Sequence, residues 1–214
     1  LSTVSTVSSG LKLQKELNVL DDKTLNDGLD NINNTVQYLS STIDDFRNFF
    51  KTDKSKRYFK IQEAFDSALS LVKTSFHNKD ITIIRNSEDF EINCYKNEFI
   101  QVIINLLNNA KDELIKKDDE FDKLIFLYLS KSDDKIKVKV TDNAGGIPKD
   151  IKDRIFEPYF TTKHQSQGTG IGLYMSREIV VKNMSGDIKA YNSSYTYENN
   201  SFKGAVFQIE LPIE

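Results

Sequence analysis

The 214-residue chain is poor in the residues that staple or punctuate a fold: one Cys, no Trp, two His, three Pro and nine Gly. A lone Cys94 cannot close an internal disulfide, which excludes a disulfide-stapled secreted domain and fits a reducing compartment. Cys94 reads as a small buried hydrophobe, and two histidines are too few for a His/Cys zinc cluster. No run approaches the roughly 18 apolar residues that span a bilayer, and no signal peptide opens the chain. Neither sign of charge dominates. With 29 Lys+Arg against 32 Asp+Glu the net charge is −3, so no general attraction to nucleic acid or anionic membrane is expected.

What is present is a chain long enough for one or two domains with a real core. It opens at Leu1, without a Met and already inside an apolar-periodic run, so it reads as a piece of something longer. Five of the nine Gly and two of the three Pro lie between Gly145 and Gly172, which concentrates irregular backbone in one region.

From Thr24 onward Leu25, Leu29, Ile32, Val36, Leu39, Ile43, Phe46 and Phe50 alternate steps of four and three, the seam of a coiled coil or helix bundle. Thr24 with Asp27 three residues later supplies an N-cap signal. Upstream, Leu1, Val4, Val7 and Leu11 form a shorter stripe, and Asn18 to Lys23 reads as a turn, so the segment predicts an antiparallel helical hairpin. One stripe per helix leaves apolar surface uncovered, which predicts a dimeric four-helix bundle; the alternative is a hairpin packed on its own C-terminal domain.

Beyond a boundary near Asp53 to Tyr58, Ile61 to Phe76 and Asn97 to Lys117 have helical spacing. Ile81 to Arg85, Phe90 to Tyr95, Leu124 to Ser130 and Lys135 to Thr141 read as strands, with Lys131 to Asp134 as a turn. Ile171 to Lys182 reads as a helix, and Asp187 to Tyr191 with Ala205 to Leu211 as a closing hairpin. The fold class is α+β, a mixed sheet layered with helices.

Three segments carry chemistry. On the helix Gln101 to Asp112, Asn105, Asn109 and Asp112 form an i, i+4, i+7 row beside an apolar face, where oxygen ligands could meet a hard cation such as Mg²⁺; such a row is also the ordinary solvated flank of an amphipathic helix. The second is Val140 to Pro148, in which Asp142 at a strand end can accept from a base amino group and Gly145 and Gly146 allow close backbone approach; by itself it is also an ordinary turn. The third runs Phe156-Glu-Pro-Tyr-Phe-Thr-Thr-Lys163 and then Gly168-Thr-Gly-Ile-Gly-Leu173 into a helix, a backbone suited to phosphates that is neither a Walker P-loop nor a Rossmann fingerprint.

In order and spacing these segments resemble the N box, first glycine box, F box and second glycine box of sensor histidine kinases, members of the superfamily shared with DNA gyrase and MutL. The resemblance covers about residues 60 to 214 and implies an α/β sandwich that binds ATP. It divides the chain into a dimerisation and phosphotransfer hairpin, 1–54, and a catalytic domain, 55–214. It further implies that Asn109 ligates Mg²⁺, that Asp142 binds the adenine amino group with Gly146 near the base, and that Gly168, Gly170 and Gly172 bring amides to the phosphates. Thr169, Ile171 and Leu173 complete that glycine box, Thr161 to Gln167 would form a lid, and Lys163 is the basic candidate for the γ-phosphate.

Asn105 sits where related ATPases carry a water-activating Glu, and an amide cannot act as a general base, which fits transfer to a protein nucleophile better than hydrolysis. The catalytic set implied is therefore Asn105, Asn109 and Lys163. Two positions depart from the family pattern. Asp112 stands where many members have Lys or Arg, and Ala144 replaces the first Gly of Asp-x-Gly-x-Gly, which is tolerable only if its φ is negative. The acceptor His is expected upstream of Leu1, His77 being assigned to packing or surface and His164 to a solvated loop.

The implied function is ATP-dependent phosphorylation of that His, with relay to a response regulator receiver domain. The implied setting is cytoplasmic, either free or as the inner portion of a membrane-anchored sensor, with no nucleic acid partner. Two alternatives are a nucleotide-binding regulatory scaffold and an ATPase clamp like gyrase or MutL.

Overall fold

A computed structural model describes residues 2–50, 55–86, 88–118, 120–132, 134–163 and 168–213. Leu1, Asp53 of the expected boundary, Asp133 of the expected turn and His164–Gln167 of the expected lid lie outside the described residues, as do the side chains of Leu39, Ile43, Phe46 and Phe50. The chain forms two compact units: Leu1–Lys51 with Pro158–Ile171, and Thr52–Glu157 with Gly172–Glu214.

In the first unit α1 (Ser2–Glu16) and α2 (Asp22–Phe50) form the expected hairpin. Asn18, with φ 57°, ends α1: its N–H donates to the Lys15 carbonyl at 3.1 Å and that of Val19 to Gln14 at 3.0 Å, a Schellman closure. The cap of α2 is Asp21 rather than Thr24. Asp21 Oδ1 accepts from the Thr24 N–H at 2.6 Å, and that bond holds the Asp21 carboxyl below the usual carboxylate range. Gly28 is buried because Leu11 Cδ1 lies 2.7 Å from the place a Cβ would take. The predicted seam divides: Leu25 and Ile32 are half-buried, whereas Leu29 and Val36 are each 50% exposed.

In the second unit the chain order is β1 (Arg57–Lys60), α3 (Ile61–His77), β2 (Ile81–Arg85), β3 (Glu91–Cys94), α4 (Lys96–Leu114), β4 (Lys123–Ser132), β5 (Lys135–Asp142), α5 (Gly172–Glu178) with a following π-turn Ile179–Asn183, β6 (Asp187–Tyr197) and β7 (Asn200–Pro212). The main sheet has the order β2-β4-β5-β7-β6, parallel only between β2 and β4. Strands β1 and β3 make a separate antiparallel pair. The fold is α+β, as the sequence implies.

Alternation along β5 sets the two faces. Ile136, Val138, Val140 and Asp142 point into the core and the intervening lysines point away. The core side is covered by α3 and α4, whose Phe65, Phe99, Ile103, Leu106 and Leu107 are fully buried, each worth about 1.5–3 kcal/mol of transfer free energy. Cys94 is buried as expected.

Three features differ from the sequence reading. β1 forms inside a Lys-rich segment because it pairs with β3, a tertiary cause. The last hairpin is longer: β6 and β7 continue to a two-residue turn at Glu198 and Asn199, with φ 47° and 64°, the backbone of a type I′ turn without its usual Gly. The helix from Gly172 stops being α-helical after Glu178, where the Met184 N–H reaches the Ile179 carbonyl at 3.2 Å. Among the described residues no helix is long and apolar enough to cross a membrane.

Candidate functional site

Helix α4 is amphipathic, so burying Val102, Leu106 and Ala110 places Asn105, Asn109 and Asp112 on one flank. Asn105 is committed to protein contacts. Its Nδ2 donates to the Ser176 hydroxyl at 2.8 Å, and its Oδ1 occupies the space a Cβ on Gly172 would need. Asn105 therefore joins α4 to the first turn of α5, which explains the glycine at 172.

Asn109 is different. Its Nδ2 is buried and has no hydrogen-bond partner among the described residues. An orphaned amide of this kind costs about 1–3 kcal/mol, and rotating the group by 180° puts Oδ1 in the same place. Among the described residues no group of three His, Cys, Asp or Glu side chains could hold a metal alone. A cation here would complete its shell with ligand oxygens and water, a habit of Mg²⁺, so the residues fit that ion.

Asp142 ends β5 at 3% exposure. Its Oδ1 accepts from the Ala144 N–H at 2.9 Å and the Ala205 N–H at 3.2 Å. Burial pushes the carboxyl above its ordinary value, and backbone N–H donors, those of Ala144 and Ala205 foremost, oppose that shift. A buried acceptor carboxylate is thus held in place by backbone donors.

The loop after Asp142 is fixed from several directions. Asn143 spans to the start of β4, accepting from the Leu124 N–H at 2.9 Å and donating to the Asp122 carbonyl at 2.6 Å. Gly145 and Gly146 have φ of 98° and 94°, whereas Ala144 is not among the residues with positive φ, so its methyl is unstrained. The Asn192 side chain lies 2.7 Å from where a Cβ on Gly146 would stand. Below the loop, the Phe156 ring meets Phe207 edge-on at 6.5 Å, and the Arg177 guanidinium lies 5.9 Å from the Phe156 centroid.

In the other unit Tyr159 and Gly170 take φ of 64° and 66°, and a Cβ on Gly170 would collide with the Tyr159 backbone. Thr161 Oγ1 accepts from the Lys163 N–H at 3.1 Å and Thr169 Oγ1 from the Ile171 N–H at 3.3 Å. The expected site residues are therefore split. Asn105, Asn109, Asp112, Asp142, Gly146, Gly172 and Leu173 share one unit; Lys163, Gly168, Thr169, Gly170 and Ile171 belong to the other.

Sequence reasoning missed Ser176, Asn192, Tyr195 and Gly204. A glycine inside a strand pattern does signal close backbone approach, and Gly204 meets that description: no Cβ could be placed there against the Asp142 carbonyl. The other three are polar residues on regular elements and carry no local signal.

Comparison with known proteins bears on the family and the fold. Residues 95–214 match the family described as Histidine kinase-, DNA gyrase B-, and HSP90-like ATPase. The chain is 32% identical over 154 residues, 70% of its length, to the two-component sensor PprA of Pseudomonas aeruginosa, and spans 16% of that protein. It is 34% identical over 116 residues, 54% of its length, to the sensor histidine kinase DpiB of Escherichia coli, and spans 19% of it. A nucleotide-free catalytic domain of histidine kinase ThkA superimposes with a TM-score of 0.60 at 28% identity, covering 74% of this chain and 95% of that one. ThkA in complex with the response regulator TrrA shares the fold at a TM-score of 0.66 and 22% identity, over 99% of this chain and 58% of that one. The chain belongs to the histidine kinase-, DNA gyrase B- and HSP90-like ATPase family.

Proposed function

We propose that the chain is the catalytic part of a sensor histidine kinase, which binds MgATP and donates its γ-phosphoryl group to a histidine of the dimerisation bundle, from which it passes to a response regulator. The observation that carries this reading is the pair of prepared groups in one unit: the orphaned amide of Asn109 and the buried, backbone-anchored carboxylate of Asp142. Asp142 Oδ2 accepts from the adenine amino group and Gly146 lies near the base. Asn109 turns its amide oxygen to Mg²⁺, which when bound neutralises phosphate charge and orients the transferring group. Asp112 is an outer contact one turn further on.

Lys163, Gly168, Thr169, Gly170, Ile171, Gly172 and Leu173 are assigned to the phosphates from their sequence pattern. No residue here needs to act as a strong base, because phosphoryl transfer rests on positioning and charge neutralisation. Asn105, tied to Ser176, contributes by holding α4 against α5. The half-exposed Leu29 and Val36 support a homodimer through the hairpin, and the reading places the chain on the cytoplasmic side.

The negative φ of Ala144 removes one of the two reasons to consider a non-catalytic scaffold. The test is ATP-dependent phosphorylation of a protein that contains this chain with its acceptor-bearing bundle. Transfer is expected, and Asn109→Ala is expected to abolish it. ATP binding without transfer would leave the scaffold, and rapid steady-state ATP hydrolysis would favour a gyrase-like clamp.

A further inference from the structure

The extended β6–β7 hairpin grips the loop that follows Asp142. Five hydrogen bonds cross between them. Asn192 Oδ1 accepts from the Ile147 N–H at 2.7 Å while its Nδ2 donates to the Ile147 carbonyl at 2.8 Å. The Gly145 N–H donates to the Lys203 carbonyl at 2.9 Å, and the Ala205 N–H to Asp142 Oδ1 at 3.2 Å. The Tyr195 hydroxyl donates to the Asp142 backbone carbonyl at 3.0 Å. The hairpin is itself anchored on β4: Tyr195 and Tyr197 meet the Phe126 ring nearly edge-on, at 5.0 and 5.3 Å.

We infer that Tyr195 and Asn192 are positioning residues for base recognition, acting through the backbone of Asp142 and Ile147 to fix where Asp142 Oδ2 and Gly146 meet a purine. The inference rests on the assignment of Asp142 to the base. The loop between Asp142 and Ile147 contains two glycines at positive φ and so little stiffness of its own. A carboxylate discriminates an amino group from a carbonyl only if its oxygen is held to hydrogen-bond tolerance, and the hairpin supplies that restraint. Phe126, whose ring meets both hairpin tyrosines, is the remote end of the same device.

The test uses Tyr195→Phe, which keeps the ring and removes only the hydroxyl, with Asn192→Ala as a second variant. Binding of ADP, GDP and inorganic tripolyphosphate is measured on the 214-residue chain. ADP affinity is expected to fall about three- to tenfold, the scale of one hydrogen bond, with the ADP:GDP ratio falling and tripolyphosphate unchanged. Amide exchange of Ala144 to Ile147 in the nucleotide-free variants is expected to quicken. A parallel loss for tripolyphosphate, or unchanged loop exchange and base preference in a chain that does prefer ADP, overturns the positioning role alone. A wild-type chain with no ADP preference overturns the assignment of Asp142 and this inference with it.

Discussion

Asp142 shows how a single residue carries both a cost and a function. Burial raises its carboxyl above the ordinary value while the unfolded chain titrates at about pH 4. A raised folded value means that the native state binds the proton more tightly. Its contribution to stability is therefore full below about pH 4 and is lost as pH rises through the raised folded value. Asp142→Asn retains an oxygen for the Ala144 and Ala205 N–H groups and removes the buried charge. Thermal melts at neutral pH should show the variant at least as stable as the parent, with the parent's fall between acid and neutral pH absent. The same variant should lose adenine nucleotides, because an amide NH₂ now faces another donor. A variant that melts well below the parent at neutral pH would show that the charge itself holds the loop.

At the scale of elements, the joint between α4 and α5 is the place to press. Ser176 is 2% exposed, so Asn105→Ala leaves its hydroxyl without the amide it meets and should cost about 1–3 kcal/mol, read by denaturant unfolding. An unchanged midpoint would mean that water replaces the amide. Elements with a strong internal pattern were legible beforehand: α3 and α4 from their apolar period, and β5 from its alternation of lysine with Ile136, Val138 and Val140. The cap of α2 was displaced because two acids and a threonine compete at Asp21, Asp22 and Thr24, and only geometry chooses between them. β1 was invisible since its cause is a partner strand 31 to 37 residues away, Glu91 opposite Lys60 and Cys94 opposite Arg57. The site was half legible. Asn109, Asp142 and the glycines stand in motifs, whereas Asn192 and Tyr195 act from a distant hairpin whose turn, Glu198-Asn199, lacks the usual glycine.

For the whole molecule, the exposure of Leu29 and Val36 on the hairpin seam sets the expected assembly. A chain with Leu29 and Val36 half exposed should sediment as a dimer, and Leu29→Glu should convert it to a monomer while leaving the melting of the second unit unchanged. A wild-type monomer at high concentration would remove the bundle from the proposal.

The parallel pairing of β2 with β4 has a further consequence. Antiparallel neighbours can be joined by a short turn, but a parallel pair obliges the chain to return across the sheet, and α4 lies within that return. The helix bearing Asn105 and Asn109 is thus part of the connection that makes this parallel pairing, between Arg85 at the end of β2 and Lys123 at the start of β4. The Asp142 loop and its hairpin hang from antiparallel strands at the sheet's other side. Variation in what a chain like this recognises has the turn-linked hairpin to work with, while α4 is held within the connection between two strands that pair with each other.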